Sequence, residues 1–173
     1  LPINHPVMGQ SRRVHEKALM DLIARKHRGL SVIDVGFSPR NRTHRNSRNI
    51  HGCEIGDTPH SAKVLEDVKD RYPEDFLGAG ETHGDTWTYC GCDAKVCEHV
   101  HEPGVYFWGH SLYYFNPKEV AAMLYRSTSK CGYAITHVYE GLCGTHYEGE
   151  SFFRRVKDGV GRAALKSEVI VST

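Results

Sequence analysis

Residues 30–36 read LSVIDVG, and the fold turns on what this stretch is. Leu30, Val32, Ile33 and Val35 make a short, almost continuous apolar run, broken only by Ser31 and Asp34 and closed by Gly36. A strand with one wet face alternates apolar and polar residues. A run this continuous suits a strand covered on both faces, as in a parallel sheet. Upstream, SRRVHEKALMDLIARKH (11–27) places Val14, Ala18, Leu19, Leu22 and Ile23 at helical spacing, with Arg12, Arg13, Lys17, Arg25 and Lys26 on the other face and Gly29 where a helix cap is expected. Downstream, NIHGCEI (49–55) reads as a second strand. TPHSAKVLEDVKDRY (58–72) reads as a helix capped by Thr58, and GVYFWGHSLYYF (104–115) as a strand ending in a loop. NPKEVAAMLYRSTS (116–129) has Asn116 as N-cap and Pro117 at the first helical position, and GYAITHVYE (132–140) is a further strand. Strands alternating with helices predict a single α/β domain with a mostly parallel sheet flanked by helices. Residues 71–104, rich in Gly, Cys and His, read as an irregular insertion that needs its own staple.

The composition narrows the class. With 173 residues, 39% of them hydrophobic, the chain can bury one sizeable core but hardly two. Its 25% charged residues are ordinary for a soluble protein. No apolar run approaches the ~20 residues of a membrane-spanning helix. No signal peptide opens the sequence, and Leu1 suggests a piece of a longer chain. A secreted disulfide framework would be shorter and denser in cysteine, and 12 histidines beside 6 cysteines tilt the reading towards metal. The net charge of +1 hides an asymmetry: residues 1–50 carry ten Lys/Arg against three Asp/Glu. A basic first third suits an anionic partner such as nucleotide, phosphate or RNA, and equally a solvated helix face.

Two patterns carry chemistry. Tetrahedral zinc takes four Cys/His ligands, usually as two close pairs. His51 and Cys53 are two apart on a predicted strand, so their side chains face the same way. CGCDAKVC offers Cys90, Cys92 and Cys97, with His99 and His101 behind. One pair from the sheet and one from the irregular segment would tie that segment down; the plain alternative is buried thiols packing as small apolar groups. The second pattern is Asp34 at the end of the first buried strand, followed by Gly36, where doubly wound folds meet a nucleoside. Arg40 and Arg42 in the next loop could grip phosphate, or simply be solvated. His5 lies just before the basic helix.

Taken in order, the NH at 4–5, VIDVGFSPRNR, IHGCEIGDTPH, CGCDAKVC and GHSLYYFNPKEVAAML resemble the capping methyltransferase–guanylyltransferase of alphavirus-like positive-strand RNA viruses, over roughly residues 4–139. Each motif is short; their shared order gives the resemblance its specificity. It implies a Rossmann-like methyltransferase core dependent on S-adenosylmethionine (SAM), with His5 as the nucleophile that carries 7-methyl-GMP. It implies that Asp34, Gly36, Arg42 and Asp57 bind cofactor and nucleotide, and that a structural zinc is held by His51, Cys53, Cys90 and Cys97, with Cys92 as a substitute ligand. Further implications are GTP and an RNA 5′ end as substrates, Mg2+ assisting guanylyl transfer, other replicase subunits, a homo-oligomer, and cytoplasmic replication complexes reaching host membrane through segments outside this chain. His15, inside the helix, competes with His5 for the nucleophile's place, and Tyr133 and Tyr139 are candidates to stack on the guanine. The sequence departs from the family where DTPH puts His60 in place of an arginine, and where Phe37 rather than glycine follows Gly36. The rival reading is a zinc-stapled RNA-binding or replication-complex assembly domain without catalysis.

Overall fold

The computed structural model describes residues 6–39, 42 and 49–135, with the side chains of residues 6–15 and 113 outside the description. The apolar run at 30–36 is the strand expected of it: β1 (Val32–Val35) is buried at every position and lies between two parallel neighbours. The elements run α1 (Pro6–Lys26), β1, β2 (Ile50–Cys53), α2 (Pro59–Arg71), β3 (Thr88–Cys90), β4 (Val105–Gly109), α3 (Pro117–Arg126) and β5 (Cys131–Ile135). The five strands among the described residues are all parallel, in the order β3-β2-β1-β4-β5, so the chain reverses its direction of travel across the sheet between β1 and β4. Among the described residues no helix is long and apolar enough to cross a membrane.

The period of two sorts the strands onto two faces. Val32, Ile50, Tyr89, Phe107 and Tyr133 meet Leu19, Met20 and Ile23 of α1 and Val68 of α2. On the other face Ile33, Val35, Tyr106, Trp108 and Ala134 meet Val120, Met123 and Leu124 of α3, together with Cys53, Cys90 and Cys97. The predicted caps are in place. Thr58 accepts the Ser61 amide at 3.1 Å, and Asn116 accepts the Glu119 amide at 2.9 Å while Glu119 accepts the Asn116 amide in return.

Two expectations are corrected. The first helix begins at Pro6, not residue 11; proline is suited to a first helical turn, and no apolar spacing was needed to extend the helix upstream. Residues 71–104 are not one irregular insertion, because Thr88–Cys90 forms edge strand β3 beside β2. The insertion proper is 91–104. It is fixed from below by α3: Arg126 donates to the carbonyls of Lys95 (3.0 Å) and Cys97 (2.8 Å), and Lys95 pairs with Glu119.

Candidate metal centre and sheet carboxyl end

Neighbouring parallel strands place His51 and Cys53 of β2 beside Thr88 and Cys90 of β3 in register, all on the α3 face. The insertion then turns back under the sheet and brings Cys97 to the same point. Cys90 Sγ stands 3.7 Å from Cys53 Sγ, 3.8 Å from Cys97 Sγ and 3.1 Å from His51 Nε2. A zinc ion with Zn–S bonds of about 2.3 Å sets sulfurs at tetrahedral corners roughly 3.8 Å apart. The three thiols and the imidazole therefore fit a tetrahedral ion with little movement. All four residues are buried, which closes the set to solvent as structural zinc sites require.

The atoms around the set are arranged for it as well. His51 Nδ1 lies 2.7 Å from the Thr88 hydroxyl, which leaves Nε2 facing the sulfurs. The same hydroxyl also meets His83 Nδ1 at 2.5 Å, and burial, with His51 close by, lowers His83 to about 4, so its ring is neutral. Hydrogen bonds from Cys53 and Cys90 hold Cys97 below the usual thiol range, while proton sharing and burial push Cys53 and Cys90 above it. Three thiols this close cannot all ionise on their own; a dication would let them. No disulfide links them: Cys53, Cys90, Cys92, Cys97 and Cys131 are all free. A thiol-packing reading explains burial but not the imidazole at 3.1 Å.

The second group lies where β1 ends, at the sheet's carboxyl edge and at the point where strand order reverses. Asp34 is 1% exposed, and its Oδ2 has no hydrogen-bond partner among the described residues. Burial, then the carboxylates of Glu16 and Glu54, hold its carboxyl well above the ordinary range. Gly36 takes φ +68, a conformation that disfavours side chains, and a Cβ there would approach Ser111 at 3.2 Å. The Ser111 hydroxyl donates to the Val35 carbonyl at 2.6 Å, tying the loop after β4 to the end of β1. His110 sits beside it at φ +63 with Nε2 3.4 Å from Glu16 Oε1. A non-glycine residue held there costs about 1–3 kcal/mol and marks a segment fixed by its surroundings. Glu16, Glu54 and the adjacent pair His110–Ser111 come from three separate segments; Glu16 and Glu54 had no signal in the sequence, and His110 and Ser111 lie in the GHSLYY stretch, where nothing tied them to Asp34.

The other expected residues are dispersed. Arg42 lies with its guanidinium 3.8 Å from the Tyr72 ring and paired with Asp75 at 2.5 Å, so its charge is already balanced. Asp57 and His60 are exposed around the start of α2. Tyr133 is buried against α1 and its hydroxyl meets His27 Nε2 at 2.8 Å. His5, Arg40 and Tyr139 lie outside the described residues, and Arg12, Arg13 and His15 are described only as helical backbone.

Asp34 supplies a prediction. Its folded carboxyl titrates above the unfolded one, so as pH rises from the ordinary carboxylate range the unfolded chain gives up its proton first and gains stability. The contribution favouring the fold is therefore complete in acid and is lost as pH rises towards the folded value. Asp34→Asn, which keeps the shape and cannot ionise, should gain stability relative to the parent as pH rises from the ordinary carboxylate range to neutral. Urea denaturation of both proteins across that pH interval measures it.

No protein-family model matches the chain, and no curated protein matches it.

Proposed function

We propose that this chain is the methyltransferase–guanylyltransferase domain of a viral RNA-capping replicase protein, using SAM and GTP and stapled by zinc. One observation carries the reading. The four residues that the resemblance assigns to zinc, drawn from β2, β3 and the insertion, meet at zinc-like spacing on a parallel sheet that reverses beside Asp34.

The sheet's carboxyl end suits the cofactor. SAM brings a sulfonium, an ammonium and hydroxyls, and Asp34, Glu16 and Glu54 provide an acidic environment with an unpartnered buried oxygen. Gly36 keeps side-chain bulk away from that edge. When bound, the cofactor supplies an electrophilic methyl group for guanine N7. His5 would then attack the α-phosphorus of 7-methyl-GTP through a neutral imidazole nitrogen: a P–N bond forms, the bond to the leaving oxygen breaks and pyrophosphate departs. The basic helix, with Arg12 and Arg13, would balance the phosphates, helped by Mg2+. The closed four-ligand zinc site has no open position and holds structure, not chemistry. Replicase partners, self-assembly and membrane attachment through other segments belong to the same proposal.

One observation favours the rival reading of a zinc-stapled RNA-binding or assembly domain. Arg42, expected to grip phosphate, is engaged with Asp75, and His60 gives no permanent positive charge where the family carries arginine. Incubation with α-labelled GTP, with and without SAM, followed by denaturing electrophoresis and acid, separates the two. The expected result is a SAM-dependent, acid-labile label that is lost in His5→Ala and kept in His15→Ala. Loss only in His15→Ala moves the nucleophile into α1, and absence of label from zinc-loaded chain favours the rival. Labelled SAM should also bind the parent at least about tenfold more tightly than Asp34→Ala, a difference of about 1.4 kcal/mol.

A further inference from the structure

The insertion carries ligand atoms that the four-residue set leaves unused. Cys92 Sγ is 3.7 Å from His99 Nε2, and these two atoms and Cys90 Sγ all lie within 4.8 Å of one another. A tetrahedral ion bound by sulfur at about 2.3 Å and nitrogen at about 2.0–2.1 Å would set such atoms roughly 3.5–3.8 Å apart. His99 is oriented for the role. Its Nδ1 meets the Glu81 carbonyl oxygen at 2.7 Å, and since a carbonyl only accepts, that nitrogen carries the hydrogen. In the neutral ring Nε2 is then a lone pair, and it faces Cys92. Metal-bound histidines are commonly fixed through the second nitrogen in this way. The His99 ring is 5.5 Å from the His51 ring, so the two ligand groups adjoin.

Charge argues in the same direction. One zinc ion with three thiolates and a neutral histidine leaves a net negative charge in a buried place, which is unfavourable. A second zinc, shared through Cys90 and bringing in the Cys92 thiolate, makes the pair of ions and four thiolates neutral. The two groups also differ in exposure. The first four residues are buried, whereas Cys92 and His99 are half-buried, so a second ion would keep a coordination position open to water.

We propose that Cys90 bridges two zinc ions, the second held by Cys92 and His99 with an exchangeable water or small ligand in its fourth position. The proposal rests on the zinc reading of His51, Cys53, Cys90 and Cys97, because Cys90 is shared.

The test is zinc content of the full chain, measured by native mass spectrometry and elemental analysis after equilibration with excess zinc and removal of the unbound metal. The parent should hold two zinc ions, and Cys92→Ser and His99→Gln one each, with unchanged circular dichroism. Cobalt titration should show two successive steps of thiolate-to-metal absorption in the parent and one in either variant. One ion in the parent overturns the second site and leaves the first intact. No ion in the parent overturns both, so the two failures are distinct. Two ions retained by the Cys92→Ser, His99→Gln double variant also overturn the assignment. The parent's stoichiometry decides the matter even if a variant fails to fold.

Discussion

On the zinc reading, Cys53→Ala should emerge from purification without metal in the buried set, while the parent carries it, and should melt about 10–20 °C below the parent. Removing that ligand destroys a closed set and leaves His51, Cys90 and Cys97 packed against one another with no ion to justify their approach. Structural zinc contributes about 10–16 kcal/mol in small zinc-finger peptides, which have almost no other core. Here α1, α2 and α3 cover both faces of the sheet and hold much of the fold without metal. A zinc ion in this set would hold the edge strand β3 and residues 91–104. A loss of about 5 kcal/mol for those parts corresponds to roughly the stated fall in melting temperature for a domain of this size. Treatment of the parent with a strong chelator should reproduce the shift, and added zinc should reverse it there but not in the variant. Metal analysis beside a thermal scan gives the answer. A zinc-free parent with the same melting temperature as Cys53→Ala would reduce the cluster to packed thiols.

Gly52→Ala should destabilise the fold by about 3 kcal/mol, a large effect for one methyl group. Gly52 lies in β2 between Asp34 of β1 and Tyr89 of β3. A Cβ there would fall 2.6 Å from Cγ and Cδ1 of Phe37. The Phe37 ring is only 3% exposed and lies 4.7 Å from the Tyr89 ring, so it has little room to retreat. Phe37→Ala alone should cost about 3–5 kcal/mol by leaving a cavity. The double variant should be more stable than the sum of the two losses, because each change relieves the fault of the other. Denaturant titration of the four proteins measures the coupling; additive losses would mean that the ring does not rest on Gly52. The pair also accounts for a departure noted in the sequence. Phe37 stands where a second glycine is common, and its ring finds space because Gly52 has no side chain.

The sequence made the covered elements legible and the edge elements obscure. LSVIDVG announced a strand buried on both faces because nothing in it alternates, and Thr58 and Asn116 marked helix starts because their side chains satisfy amides that would otherwise lack partners. Strand β3 escaped notice since three residues are too few to show a period, and Tyr89 and Cys90 sat inside a cysteine-rich stretch that drew attention as metal ligands alone. The ligand quartet could be named from the resemblance, but from the residues themselves Cys92, His99 and His101 remained open, because spacing along the chain does not say which sulfurs share a point. That needed the β2–β3 register, which sets Cys53 directly beside Cys90. Glu16 and Glu54 gather near Asp34 through tertiary packing, so no local pattern could have revealed them; Ser111 lay in a quoted motif, but only the fold brings it to the end of β1.

The strand order has a consequence in time. A parallel sheet has no hairpin from which to start: Val32 must wait for Val105, with the whole of β2, α2, β3 and the insertion between them. Such distant pairing makes for slow folding and leaves half-formed edges exposed in the meantime. Cys53 and Cys90 are brought side by side in the same register that joins β2 to β3. An ion that captured these thiols early would close the intervening loop before the rest of the sheet had assembled. Zinc supply during synthesis would then govern how quickly the chain reaches its fold, as well as how firmly it stays there.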